Sequence, residues 1–136
     1  MIFGIGVDVT RISRFASRSL DSHFCCRVCA PQEREWLAQR GEKRRAEGLA
    51  GCWAAKEAFL KAAGTGLSGF ELGQIQVTHS DRGAPQLHLG GEAARWAAEN
   101  HLKAHLSISH DADLCTAFVV LEVQEKGADS YDRPEA

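Results

Sequence analysis

The 136-residue sequence carries no strong excess of charge of either sign. Sixteen lysines and arginines stand against 18 aspartates and glutamates, a net charge of −2. Overall charge therefore names no partner, and with aromatics at only 7% it argues against a nucleic-acid-binding surface. Long apolar runs are missing as well: none approaches the roughly 20 residues that a membrane span needs. No basic stretch precedes an apolar segment at Met1, so no secretory signal is expected and the chain is expected to be cytoplasmic. Its five cysteines are then expected as reduced thiols. Cys26 and Cys29 form a C-x-x-C pair beside His23 and Cys25. No second pair follows at the spacing of a zinc ribbon or finger, which argues against a structural metal. Internal repeats and low-complexity segments are also absent from the sequence.

With 44% hydrophobic and 25% charged residues, the chain has the composition of one ordinary globular domain. Residues 2–9, apolar and β-branched with glycines at 4 and 6, predict a buried strand that delivers Asp8 at its end. Thr10 reads as the N-cap of a short helix over 11–20, with Arg11, Arg14 and Arg18 on one face. Residues 21–30 are poorly periodic. Pro31 opens a second helix that ends at Gly41, and a longer one spans 43–63, stopped by Gly64 and Gly66. Strands are expected at 72–79 and 85–89, joined by the turn Ser80-Asp81-Arg82-Gly83. A helix over 92–103 and strands at 106–110 and 116–123 follow. Without strict βαβ alternation the class is α+β, an antiparallel sheet on a long helix. The domain is expected over 1–124, with 125–136 a disordered tail.

The long helix carries the most informative residues. Glu57 and Lys61, four apart, share a face that Ala50 and Ala54 extend with minimal bulk, leaving space for a ligand. A solvated ion pair contributing about 0.3–0.5 kcal/mol explains the same spacing. Asp8, at the end of an apolar strand, needs a partner if buried. It either caps the next helix or joins Glu57 in supplying two hard oxygens to Mg²⁺, which typically takes one or two protein carboxylates plus waters and phosphates. Lys61 would then hold a phosphate as a point charge. His110 closes the strand Ser107-Ile108-Ser109-His110, where a lone histidine beside an isoleucine is more often a satisfied core or surface residue than a catalytic one.

These stretches resemble a known family. Gly4-Ile5-Gly6-Val7-Asp8, then Ile12 and Arg14, resembles the opening signature of the bacterial holo-acyl-carrier-protein synthases, a type of 4′-phosphopantetheinyl transferase. Trp53-Ala54-Ala55-Lys56-Glu57-Ala58 through Lys61, with Gly64-Thr65-Gly66, resembles the second signature; Gly83-x-Pro85 and Ser107–His110 are similar to two further pieces. The resemblance implies a trimer with active sites between subunits, and transfer of 4′-phosphopantetheine from coenzyme A to a serine of an acyl carrier protein. It implies Asp8 and Glu57 as magnesium ligands and Lys61 on the coenzyme A phosphates. Lys56, Gly64 and Gly66 would line the nucleotide site, and His110 would contact coenzyme A or handle a proton. Glu57 or His110 would be the general base. Arg14 and Arg18 would receive the acidic carrier. Cys52 departs from the pattern, standing where many relatives carry a basic residue. A coenzyme A-binding module without chemistry and a magnesium-dependent phosphohydrolase stay open beside this reading.

Overall fold

The computed structural model describes residues 1–66 and 69–125; of the expected tail only Glu125 falls among them. In chain order the elements are β1 (Ile2–Arg11), a 3-10 turn (Ile12–Phe15), α1 (His23–Val28), α2 (Pro31–Ala38) and α3 (Glu42–Ala63). After a second 3-10 turn (Leu72–Gln74) come β2 (Ile75–His79), β3 (Pro85–Leu89), α4 (Gly91–Glu99), β4 (Leu102–Asp111) and β5 (Leu114–Val123). An antiparallel sheet of order β1-β5-β4 packs on α3, and β2-β3 forms a separate hairpin. The α+β architecture with a long helix on an antiparallel sheet is thus present.

The expected burial of β1 is reversed. Its β-branched residues Ile5, Val7 and Val9 face outward and are exposed, while Gly4, Gly6 and Asp8 face α3. A Cβ at Gly6 would collide with the carbonyl oxygen of Ala58, and one at Gly4 with that of Ala62. The glycines are needed for contact between strand and helix backbones, not for a turn. Because side chains alternate along a strand, the apolar ones are left on the far face. Phe118 and Leu114 on β5 are exposed too, so the outer side of the sheet is strongly apolar.

Two helix boundaries also move. The chain stays extended through Thr10 and Arg11, so Thr10 caps nothing and only a 3-10 turn replaces the helix expected over 11–20. Asp113 satisfies that turn, accepting from the Ser13 amide at 2.8 Å and the Ser13 hydroxyl at 2.7 Å. The helix expected over 92–103 stops at Glu99: Asn100 Nδ2 donates to the Trp96 carbonyl oxygen, His101 takes φ +57°, and residues 102–105 extend β4 instead. In the weakly periodic 21–30 stretch Ser22 caps α1, which turns Cys25 and Cys29 inward and Cys26 outward. Residues 72–74 form the 3-10 turn ahead of β2 rather than strand.

A buried ion pair ties these parts together. Lys56 and Glu33 are almost fully enclosed, with Nζ to Oε1 at 2.7 Å. Lys56 also donates to the carbonyl oxygens of Leu72 and Ile75, each at 2.8 Å, which uses all three ammonium protons. Glu33 accepts from the Ala30 and Val77 amides in addition. The pair therefore fastens α2, α3 and the start of β2 at one point. Lys56 thus sits in the core, away from the nucleotide-lining position expected for it. Its i−3 neighbour Trp53 and i+1 neighbour Glu57 lie on more open faces of α3.

Removing one partner strands the other charge in the core. Lys56→Met should lower stability by about 3–5 kcal/mol. In a double-mutant cycle, Lys56→Met with Glu33→Leu should cost less than the sum of the single losses. Urea unfolding of the four proteins checks this, and additive losses would show that the two charges do not depend on each other.

Candidate active site

Asp8 reaches the helix side of the sheet because it follows Gly4 and Gly6 at period two. Glu57 and Lys61 meet it there from adjacent turns of α3. Lys61 Nζ donates to the Val7 carbonyl oxygen at 2.9 Å and to Asp8 Oδ1 at 3.3 Å. The Asp8 side chain is 15% exposed but that of Lys61 is 54% exposed, so the ammonium remains open to an incoming anion. Asp8 makes no bond to the amides after it, which leaves the helix-cap reading without support.

The other oxygens of the two carboxylates are unsettled. Asp8 Oδ2 and Glu57 Oε1 are both buried without a hydrogen-bond partner among the described residues. Buried polar atoms are nearly always paired, so two orphaned oxygens on facing carboxylates mark a place built for something positive. Burial, then the negative charge of Asp8, raises the proton affinity of Glu57; Lys61 and Arg14 pull it back. Among the described residues no third His, Cys, Asp or Glu completes a metal cluster here. The donor set still fits a hard divalent cation that keeps most of its shell for water and phosphate oxygens.

Ala50 and Ala54 do not extend this face as expected; both are fully buried. The open stripe runs Trp53, Glu57, Lys61. Arg14 lies over the Trp53 ring at 5.0 Å and Arg18 over Phe24 at 4.0 Å, while Phe24 and Trp53 pack 5.6 Å apart. The arginines expected on a helix face are instead held on an aromatic platform one turn from Glu57. A groove of about 990 Å³ lined by Phe24, Arg27, Trp53 and Phe70 adjoins it. Nothing in the spacing of Phe24 and Trp53 announced this platform, because they come from different elements.

Beyond Lys61, Gly64 caps α3 at φ +79° and Gly66 follows at φ +65°; a Cβ at either would meet no atom within 4 Å among the described residues. His110 lies elsewhere. Asp8 pairs with Ala117 of β5, and Ala117 with Ile108 of β4, which sets His110 two strands away from Asp8 and further along. No hydrogen bond or ion pair joins it to Asp8, Glu57 or Lys61 among the described residues. It lines a separate cavity of about 430 Å³ together with Trp36, Arg40, Arg44, Cys52 and His79. Cys52 forms part of that wall as a buried thiol, its pKa pushed up first by burial and then by the charge of Glu33.

A profile of the 4′-phosphopantetheinyl transferase superfamily matches residues 4–119. A holo-[acyl-carrier-protein] synthase of Leptothrix cholodnii is 38% identical over 130 residues, covering 91% of this chain and 98% of its own. One from Geotalea daltonii is 43% identical over 126 residues, with 90% and 99% covered. Among solved structures, the synthase from Neisseria meningitidis superposes with a TM-score of 0.80 at 34% identity, covering 90% of this chain and 99% of that one. The synthase from Bacillus anthracis in complex with CoA (3′,5′-ADP) gives 0.77 at 34% identity, with 91% and 99% covered. On the glycine-spaced strand that presents Asp8, the helix that presents Glu57 and Lys61, and similarity over nine-tenths of its length, the chain belongs to the 4′-phosphopantetheinyl transferase superfamily, and within it to the holo-[acyl-carrier-protein] synthases.

Proposed function

We propose that the chain moves the 4′-phosphopantetheine group of coenzyme A onto a serine of an apo acyl carrier protein, releasing adenosine 3′,5′-bisphosphate. The observation that carries this reading is the pair of orphaned oxygens on Asp8 and Glu57 beside the open ammonium of Lys61. Asp8 and Glu57 would hold Mg²⁺. Bound there, the cation supplies positive charge against the pyrophosphate. Lys61, anchored by the Val7 carbonyl oxygen, presents its remaining proton to a phosphoryl oxygen and stabilises charge that grows in the transition state. The serine hydroxyl attacks the β-phosphorus in line, the bond to the departing adenosine 3′,5′-bisphosphate oxygen breaks, and the serine proton passes to Glu57 directly or through a water. Gly64 and Gly66 let backbone approach the nucleotide.

Arg14 and Arg18 form the landing surface for an acidic carrier, where complementary charge acts mainly on the association rate. The exposed Ile5, Val7, Val9 and Phe118 fit a homotrimer closed through the outer sheet face, since monomers rarely leave so contiguous an apolar patch in water. In such a trimer His110 and its cavity would serve the carboxylate pair of a neighbouring copy, which accounts for their separation within one chain. No helix among the described residues is long and apolar enough to cross a membrane; we place the reaction in the cytoplasm, where both substrates are soluble.

Intact-mass spectrometry of apo carrier protein mixed with the chain, coenzyme A and Mg²⁺ should show a gain of about 340 Da, the transferred arm, that a chelator abolishes. Release of adenosine 3′,5′-bisphosphate without carrier would point to hydrolysis instead. Arg14→Ala should raise KM for the carrier several-fold and flatten its dependence on salt, with KM for coenzyme A little moved; steady-state kinetics at two ionic strengths decide this. Glu57→Gln relieves the repulsion with Asp8. It should raise the metal-free melting temperature by about 2–4 °C, a typical response to a small stabilisation in a domain this size. The same variant should lose the further gain that Mg²⁺ gives the wild type. A variant that melts lower and still gains from Mg²⁺ would remove Glu57 from the metal site.

A further inference from the structure

Residues 12–18 carry both arginines of the carrier-landing surface, yet they hold little regular structure: one 3-10 turn, then extended backbone at Ala16 and φ +59° at Ser17. Ile12 and Phe15 are buried and leave Ser13 and Arg14 exposed beside them. A segment of this kind keeps its shape only where its polar groups find partners outside it. Among the described residues, every hydrogen bond that ties it to another element ends on Asp113. The Ile12 amide donates to the Asp113 carbonyl oxygen at 2.8 Å, the Ser13 amide to Oδ1 at 2.8 Å and the Ser13 hydroxyl to Oδ2 at 2.7 Å. Both carboxylate oxygens are thus engaged on the residue immediately before Arg14. Asp113 reaches it from the two-residue connection between β4 and β5, where Asp111 pairs with Leu114. Its neighbour Ala112 takes φ +52°, a left-handed conformation that glycine adopts freely and alanine does not. Strain of that kind persists only where the surroundings over-determine it. The Ser13 hydroxyl, then the Ser13 amide, hold the Asp113 carboxyl below its usual range, so the acceptor is ionised at neutral pH.

Arg14 is the side chain that this latch locates. Its guanidinium carbon lies 5.0 Å from the Trp53 ring centroid and 5.4 Å from that of Phe15, and its charge reaches Glu57. We propose that Asp113 is a positioning residue for the acyl carrier protein: by bonding Ser13 twice it fixes the backbone that presents Arg14 before the carrier arrives. This rests on the reading of Arg14 as a carrier contact. Asp113 acts through Ser13 and Arg14, not by touching a substrate. The gain is pre-organisation, since an arginine on a held backbone loses less freedom on meeting an acidic group than one on a loose loop. An acid beside a landing surface for an acidic protein is electrostatically unfavourable to docking, so any help that Asp113 gives must come from geometry.

The test is steady-state kinetics with apo carrier protein and coenzyme A. Asp113→Ala should raise KM for the carrier about fivefold, the order expected for immobilising one long side chain on binding. The same variant should leave kcat and KM for coenzyme A little moved. Asp113→Asn should recover most of the loss, because its amide oxygen still accepts from the Ser13 amide and its amide nitrogen donates to the Ser13 hydroxyl oxygen. A role through charge alone predicts the opposite, with both variants lowering the carrier KM alike. In an Arg14→Ala background Asp113→Ala should add little, since the side chain it positions is gone. Additive effects there, an unchanged carrier KM in Asp113→Ala, or a shift of kcat and both KM values together would overturn the proposal. A carrier KM unmoved by Arg14→Ala would remove the docking reading on which it rests. Nitrogen-15 relaxation of the Ser13 and Arg14 amides reads the latch in the free chain: ordered in wild type and Asp113→Asn, mobile on the nanosecond timescale in Asp113→Ala. Amides that stay ordered in Asp113→Ala would also overturn it. A chain that transfers nothing, yet binds apo carrier protein more weakly in Asp113→Ala than in Asp113→Asn by calorimetry, would sink the transfer reading and keep this one.

Discussion

Two glycines on β1 allow a strand and a helix to touch backbone to backbone, and most of what the site needs follows from that contact. With side chains at positions 4 and 6, α3 would have to stand off by the width of a methyl group or more, since the carbonyl oxygens of Ala58 and Ala62 occupy that space. At the larger spacing Lys61 would lose its bond to the Val7 carbonyl oxygen, and Glu57 would stand further from the charge of Asp8. The small residues on the other side of the contact, Ala58 and Ala62, are both buried and serve the same close approach. Packing here trades side-chain volume for precision in where two carboxylates end up.

The chain contains two lysine–carboxylate pairs on the same helix, and burial gives them opposite meanings. Lys56 and Glu33 are enclosed, and every polar atom of the ammonium is used, so the pair holds three elements in register. Desolvating both ions is costly, and the added hydrogen bonds to Leu72, Ile75, Ala30 and Val77 are what offset it. Lys61 and Asp8 are looser, longer by 0.6 Å (3.3 against 2.7 Å), and open to water. A pair of that kind contributes little to stability but leaves an oxygen and an ammonium free to exchange partners. The difference between a structural charge and a working one is thus visible in which atoms remain unsatisfied.

Arginines and aromatics are paired at two separate places, with different geometry. Arg14 and Arg18 lie over Trp53 and Phe24 on an open platform, a broad surface suited to a protein partner. Arg40 lies over Trp36 in a concave wall. In both cases the ring fixes a guanidinium that would otherwise sample many rotamers, which lowers the entropy lost on binding.

Much of this was legible in the residues. The spacing of Glu57 and Lys61, the strand that carries Asp8, the glycines after α3 and the turn at Ser80–Gly83 all follow from local rules of periodicity and capping, and local rules act within a few residues. The glycines at 4 and 6 gave the strand but concealed its orientation: apolar side chains signal burial only if some surface covers them, and here the helix chose the glycine face. The same limit explains Lys56, whose partner Glu33 lies 23 positions away, and Ala50 and Ala54, whose small size served packing and not a ligand. It explains Thr10 as well, since the amides after it are satisfied by Asp113 from a turn about a hundred residues on. Sequence by itself determined which residues are candidates for the chemistry and most of the elements that present them. Only the tertiary structure decided which oxygens are left orphaned, which arginines rest on rings, and that His110 stands apart from Asp8, because burial, stacking and strand order depend on contacts between segments that no local pattern encodes.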